Sequence, residues 1–536
     1  MKIRFFSSVL FFSLFSFAQN STDSAPKNWF NLDQTNDKVN GLGTERVYNE
    51  LLKGKKSNPV LVGVIDSGVD IDHEDLKSII WTNPKEIAGN GIDDDNNGYV
   101  DDIHGWNFIG GKNGKNIEFE RLEMVRIYKK LSDKYNNKKE EEVSDKKEFK
   151  QYQTIKERIE KDKKKVSGQL MQINFIYSAV KEMNEEIKTE MKVEKVNAEA
   201  FGKYTPQDAK KKQMTGFIKS FLAEPGSTLD DVMIQMEEGK VYLETRLNYN
   251  LNADYDQRAE IVGDDENNPF EKNYGNNDVK GPDPSHGTHV SGIIAAVRNN
   301  NLGMDGIADN VMIMPVRAVP NGDERDKDVA NAIYYAVDNG CQIINMSFGK
   351  DYVVHKEAVD KAVKYAEGKG VLLVHAAGNE SKNIDEQPNY PTKKAGRKSC
   401  KTWIEVGALS WKQAVELPAS FSNYGKKSVD VFAPGVDIYS TVPGNKYKNE
   451  NGTSMACPAT AGAAAVLKSY FPQLSAKEIK KILEQSSNTT AKNSEVNVPV
   501  AGMGKPVKKK FSELSKTGGY VNLYAAVSLA IKKYSK

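Results

Sequence analysis

Apolar and polar residues follow one another along this chain in two distinct rhythms. Continuous apolar runs occupy Val60 to Asp66, Val311 to Val316, Cys341 to Met346, Gly370 to Ala376 and Ser428 to Phe432. Runs of this length without polar alternation predict strands covered on both faces, as in a buried parallel sheet. Between them the period changes. Asp328 to Asn339 carries Val329, Ile333 and Val337 at helical spacing, and Lys356 to Gly368 carries Val359, Val363 and Ala366. Strand, helix, strand at these lengths reads as βαβ units. The predicted fold is therefore α/β, a three-layer, doubly wound and mostly parallel sheet. Working groups in such sheets sit at the carboxyl ends of the strands and in the loops that follow.

The stretch 113–275 breaks that rhythm. Glu118 to Lys165 is dense in Lys and Glu, and Val166, Leu170, Ile173, Tyr177, Val180, Met183, Ile187 and Met191 then follow at steps of three and four. This pattern predicts a large charged helical insertion, an amphipathic helix paired with the charged one before it. The expected organisation is a signal peptide over 1–18, an N-terminal segment 19–57, a first catalytic part 58–112, the insertion 113–275 and a second catalytic part 276–532.

Composition narrows the function classes. Lys+Arg 75 against Asp+Glu 73 leaves a net charge of +2 over 536 residues, which gives no basic footprint for nucleic acid. A mean hydropathy of −0.59 leaves no membrane-embedded body. The one long apolar run at the N-terminus, Phe5 to Phe17, follows Lys2 and Arg4 and ends in Ser16-Phe17-Ala18. It is too short to span a bilayer but suits a secretory signal, so the mature chain is expected to be exported, extracellular or periplasmic, with no membrane span. Cys341, Cys400 and Cys457 are odd in number and far apart, which excludes a disulfide scaffold or zinc cluster.

Candidate chemistry lies in segments at the edges of these buried elements: Gly63 to Asp70 (GVIDSGVD), His286 to Gly292 (HGTHVSG) and Asn451 to Pro458 (NGTSMACP). Ser454 precedes ATAGAAAVL, which is too small and apolar for a surface helix. A buried helix would aim its positive end at whatever contacts that hydroxyl. A serine hydroxyl is a weak nucleophile without a base, and a histidine oriented by a buried carboxylate is the usual arrangement. Asp66 supplies the acid. His286 and His289 both qualify as the base, and spacing alone does not separate them. Cys457, deep in an apolar helix, reads as an inert thiol.

These segments resemble the Asp, His and Ser motifs of the subtilisin-like serine peptidases, the subtilases, whose chain order Asp…His…Ser is already known for subtilisin. Ala376-Ala377-Gly378-Asn379-Glu380 is similar to the family's oxyanion-hole segment, and Asn345-Met346-Ser347-Phe348-Gly349 to the segment flanking the S1 pocket. Ala419 to Gly425, Phe432 to Val436 and Gly519 to Leu523 also match, so the likeness covers roughly 58–110 and 280–530. The resemblance implies a serine endopeptidase acting on protein or peptide substrates, with Asp66, His286 and Ser454 as catalytic triad. It implies Asn379 as oxyanion donor, and Ser347, Phe348, Gly349, Ala376, Ala377 and Gly378 as substrate-binding positions. It picks His286 over His289. No cofactor is expected for the chemistry, no nucleic acid as partner, and the protein is expected to be a monomer. A non-catalytic scaffold that keeps the fold is the rival reading, and the complete catalytic set argues against it.

Asp93, Asp95, Asn97 and Asp101 place oxygens at alternate positions around Gly98, the first half of a calcium loop, but His104 stands where a bidentate Glu would close it. A structural Ca2+ and a polar Asx-rich turn are both compatible with this loop. A family-type site could also use Asp75 and the Asn299 to Gly303 loop. Relative to compact subtilases, Asp66 and His286 stand far apart, and the stretch before Asp66 is too short for the usual folded prodomain.

Overall fold

The computed structural model describes residues 25–206, 208–223, 226–412, 414–498 and 507–534. The expected signal segment 1–18 lies outside them. The described chain forms two compact units, one over 124–255 and one over 25–123 and 256–534.

In the larger unit β1 (Val60–Asp66), β2 (Trp106–Asn107), β3 (Val311–Arg317), β4 (Ile343–Met346), β5 (Leu372–Ala376), β6 (Trp403–Leu409) and β7 (Val431–Pro434) make one sheet. Their order is β2-β3-β1-β4-β5-β6-β7, with every pair parallel. From β1 the chain adds β3 on one side and β4 on the other, so strand order reverses at β1. Ligands of open parallel sheets bind at that point, beyond the carboxyl ends.

β1 explains its own composition. Val60, Val62 and Val64 enter the core shared with the helices Ser285–Ala295 and Thr453–Tyr470, while Leu61 and Ile65 enter the core under Asp326–Asp338 and Lys356–Gly368. Both faces are covered, so no position can be polar. This is the α/β doubly wound architecture, with helices on both sides. A hairpin, β8 (Ile438–Val442) and β9 (Lys446–Glu450), leads into the Thr453–Tyr470 helix.

Two elements differ from the pattern-based expectation. β6 carries Glu405 in its middle, which hides it from a search for continuous apolar runs. Buried His375 and Trp403 both bond that carboxylate, at 2.9 and 2.7 Å, and so admit it to the core. In the smaller unit the charged and the amphipathic segments are one helix, Lys146–Met191, and not a pair. Only Gly168 interrupts the series, a loss of about 1 kcal/mol that a long helix absorbs. Its partner is Leu229–Thr245, which buries Val232, Met236 and Leu243. The flanks 113–123 and 256–275, expected within the insertion, belong to the larger unit.

The N-terminal segment is core material. Trp29 and Phe30 are fully buried, and the Trp29 indole N–H lies 3.1 and 3.2 Å from the Val436 and Asp437 carbonyls.

Candidate active site

Asp66 is the last residue of β1, at the strand-order reversal, and is only 2% exposed. Its Oδ1 accepts the Ser67 backbone N–H at 2.8 Å and faces His286 Nδ1 at 2.7 Å. A carboxylate can only accept, so Nδ1 carries the proton and Nε2 is left as the basic nitrogen. Burial opposes the charged ring, but the Asp66 charge and hydrogen bond outweigh it. With smaller pulls from Glu450 and Asp283, they raise the imidazole to about 9.

His286 stands in the first turn of its helix. The glycine after it is required, because a Cβ at Gly287 would lie 2.1 Å from the Gly68 carbonyl oxygen. His289, one turn on, has another task. Its Nε2–H donates to Lys448 O at 3.0 Å, and burial lowers its pKa to about 3, so it stays neutral. Ser440 and Thr441 hydroxyls donate to the carbonyls of His289 and Thr288, both at 2.8 Å. His289 is thus a strut that docks the hairpin on the histidine helix.

The serine helix begins at Thr453, with Gly452 as its extended N-cap, so Ser454 sits inside the first turn instead of capping it. Pro458 lies in the same helix. It has no N–H, so the Ser454 carbonyl loses its i+4 partner. The Ser347 hydroxyl fills the gap, donating to Ser454 O at 2.9 Å, while the Ser454 hydroxyl donates to Ser347 O at 3.1 Å. The nucleophile candidate is therefore tied to the residue following β4, and in this rotamer its hydroxyl points to that carbonyl and not to His286. Cys457 is buried against Asn345 Oδ1 and the Val374 carbonyl, and desolvation drives its thiol pKa far up, which keeps it inert.

Asn379 Oδ1 accepts both the Thr453 N–H and the Thr453 hydroxyl at 2.9 Å. Two donors on one atom fix that atom as the oxygen. The amide Nδ2 then faces Gly452 and the start of the serine helix, with no bonded partner among the described residues. Gly378 has φ +100, and a Cβ there would meet Asn423 Nδ2 at 2.4 Å, so only glycine fits. Asn389 Nδ2 bonds Ala376 O at 3.1 Å, and the same side chain abuts Gly349, bracing both expected S1 walls. Phe348 meets the buried His375 ring edge to face, centroids 6.2 Å apart.

The acidic loop is arranged differently from the sequence spacing. Asp101 accepts the backbone N–H groups of Gly89, Asn90 and Gly91, and Asn97 spends its amide on Asp102 and its oxygen on the Tyr99 N–H. Ligand oxygens of Glu86, Asp93 and Asp95 instead gather within 4.8 Å of one another. Asp75 bonds Asn300 Nδ2 at 2.6 Å and the Tyr447 hydroxyl at 3.2 Å. The Ser347–Ser454 exchange and the Glu86 contribution had no sequence signal, since each depends on segments that meet only in the fold.

The family model described as "Subtilase family" matches residues 57–504. A thermophilic serine proteinase from Bacillus sp. (strain AK1) is 43% identical over 205 residues, 38% of this chain and 47% of that protein. Subtilisin DY from Bacillus licheniformis is 38% identical over 206 residues, 38% of this chain and 70% of its own length. Thermitase from Thermoactinomyces vulgaris is 39% identical over 204 residues, 38% of this chain and 67% of its own. The chain thus spans about half the length of the first of these relatives.

Proposed function

This chain belongs to the subtilase family, and from that premise we propose that it is a serine endopeptidase that cleaves protein or peptide substrates through an acyl-enzyme intermediate. The observation that carries the reading is the His286–Asp66 pair at 2.7 Å, on a buried carboxylate at the carboxyl end of the central strand. Ser454 turns from Ser347 O toward His286 by a rotamer change of about 120°. Its oxygen attacks the substrate carbonyl while His286 Nε2 takes the proton, and the same nitrogen returns it to the leaving amine. Asp66 holds the ring in the required tautomer and stabilises the imidazolium. Asn379 Nδ2 and the Ser454 N–H receive the oxyanion. In subtilisin itself, loss of one such donor lowers kcat by about 10²–10³, and a loss of that order is expected for Asn379→Ala. Water completes the cycle by attacking the acyl-enzyme.

Ser454→Ala should abolish both hydrolysis of casein and labelling by a serine-directed phosphonate. Labelling that persists at another residue would defeat the assignment.

We also propose that the protein acts after export, as a monomer and without nucleic acid. No described helix is long and apolar enough to cross a membrane. The 83–102 loop is read as holding a structural Ca2+ through Glu86, Asp93 and Asp95. All-oxygen donors suit a hard cation, and the buried Glu86 Oε2 has no bonded partner among the described residues. Chelation should then shorten the half-life at raised temperature, and Asp95→Asn should remove that sensitivity. A half-life indifferent to chelator would end the calcium reading.

A further inference from the structure

Glu450 closes β9, just ahead of the turn that presents Ser454. Register places Glu450 opposite Ile438 and Lys448 opposite Ser440, so these side chains share one face of the hairpin. On that face Ser440 reaches the His289 carbonyl, and the Lys448 carbonyl receives His289 Nε2–H. His286 lies one turn before His289 on the helix, and Glu450 lies two residues beyond Lys448 on the strand. The two elements therefore carry Glu450 up beside His286.

The charges agree with that placement. Glu450 and Asp283 both favour the protonated imidazole, and His286 in turn favours the Glu450 carboxylate, whose own pKa burial pushes up. The carboxylate is half-buried and makes no ion pair with any described cation. Lys448, on the same face, lies beyond ion-pair distance. A desolvated carboxylate held near two other acids, Asp66 and Asp283, is unfavourable alone and is relieved by a cation arriving from outside.

Sheet order decides which part of the substrate that cation belongs to. Ser347 follows β4 and Ala376 ends β5, while Asp66 ends β1. The expected S1 walls are on the β4–β5 side, and His286 with Glu450 on the β1 side, where the leaving amine takes its proton. We propose that Glu450 is a specificity-determining residue whose carboxylate receives a lysine or arginine side chain of the substrate on the leaving-group side of the scissile bond. This rests on the endopeptidase reading above and adds a substrate class to it.

The test uses the full chain and matched quenched peptides that differ only in the residue after the scissile bond: Lys, Gln or Glu. Ratios of kcat/KM between peptides cancel any effect of the substitution on His286 itself. Wild type should favour Lys over Glu by roughly 10-fold at low ionic strength, less in 1 M salt. Glu450→Gln should bring the ratio near unity, and Glu450→Lys should invert it. A Lys preference unchanged in Glu450→Gln, or a basic preference confined to the acyl side of the bond, overturns the proposal. Wild-type protein that cleaves no peptide and takes no phosphonate would overturn the endopeptidase reading, and this proposal with it. A Glu450→Gln variant that cleaves the Gln peptide normally yet keeps its Lys preference refutes the Glu450 role alone.

Discussion

His286 holds its proton under opposing influences, and their balance predicts a pH profile. Burial disfavours the imidazolium, while Asp66 at 2.7 Å favours it more strongly, raising the ring to about 9. The side chain is 37% exposed, so water screens part of that pull. A protonated ring cannot accept the Ser454 proton. Hence kcat/KM should rise with pH through an ionisation above the ordinary 6.5 and not beyond about 9. Asp66→Asn should move that limb down while kcat falls by about 10⁴, from loss of tautomer control. A rising limb below 6.5 in the wild type would contradict the pairing. The sign for stability is opposite in sense: the pair's stabilisation is complete below the unfolded pKa and fades as pH climbs through the folded one.

At the scale of the element, the serine helix carries a proline where an ordinary helix would have an N–H. Its later residues, Ala459 and Ala461 through Ala465, are small and buried, letting the helix lie close against β4, β5 and β6. Pro458 frees the Ser454 carbonyl, and Ser347 claims it. Restoring the N–H with Pro458→Ala should draw that carbonyl back into the helix and loosen the tie to Ser347. Thermal stability is expected to hold or rise, since an interior proline costs about 3 kcal/mol in a helix. Activity should fall roughly 10-fold in kcat through misplacement of the nucleophile. Parallel melting curves and steady-state kinetics check this, and undiminished kcat would show that the Ser347 exchange does not position Ser454.

For the whole molecule, the question is why so long an interruption between Asp66 and His286, 220 positions apart, leaves their pairing intact. The chain on either side of 124–255 is fastened to the larger unit. Arg121 bonds Asp256 across the gap. Arg258, nearly inaccessible, grips Asp264 and Asp328 bidentately at 2.7 to 2.8 Å, and Tyr274 adds a bond to Asp328 at 2.7 Å. Lys327 joins Asp264 and Glu271, both at 2.5 Å. These bonds fix the loop ends without help from the segment between them, and loop length itself costs little. Replacing 124–255 by a short Gly/Ser linker should leave the melting temperature within a few degrees and kcat/KM on a small peptide within about 3-fold. Insoluble or inactive protein would show that the segment is needed for folding.

Much of this was legible in the amino-acid order because its causes are short-range. Apolar runs declared the strands, helical spacing declared 326–338 and 356–368, and the motif residues around Asp66, His286 and Ser454 identified a subtilase. Other features needed contacts between distant segments. A strand containing Glu405 is invisible until His375 and Trp403 supply its bonds, and the single helix 146–191 shows only when no partner is found inside it. Geometry alone separates His286, facing a carboxylate, from His289, facing a carbonyl. The same holds for the Ser347–Ser454 exchange and the station of Glu450. Patterning is set by each residue and its near neighbours, whereas the address of a polar side chain is set by which remote atoms the packed core brings within about 3 Å of it.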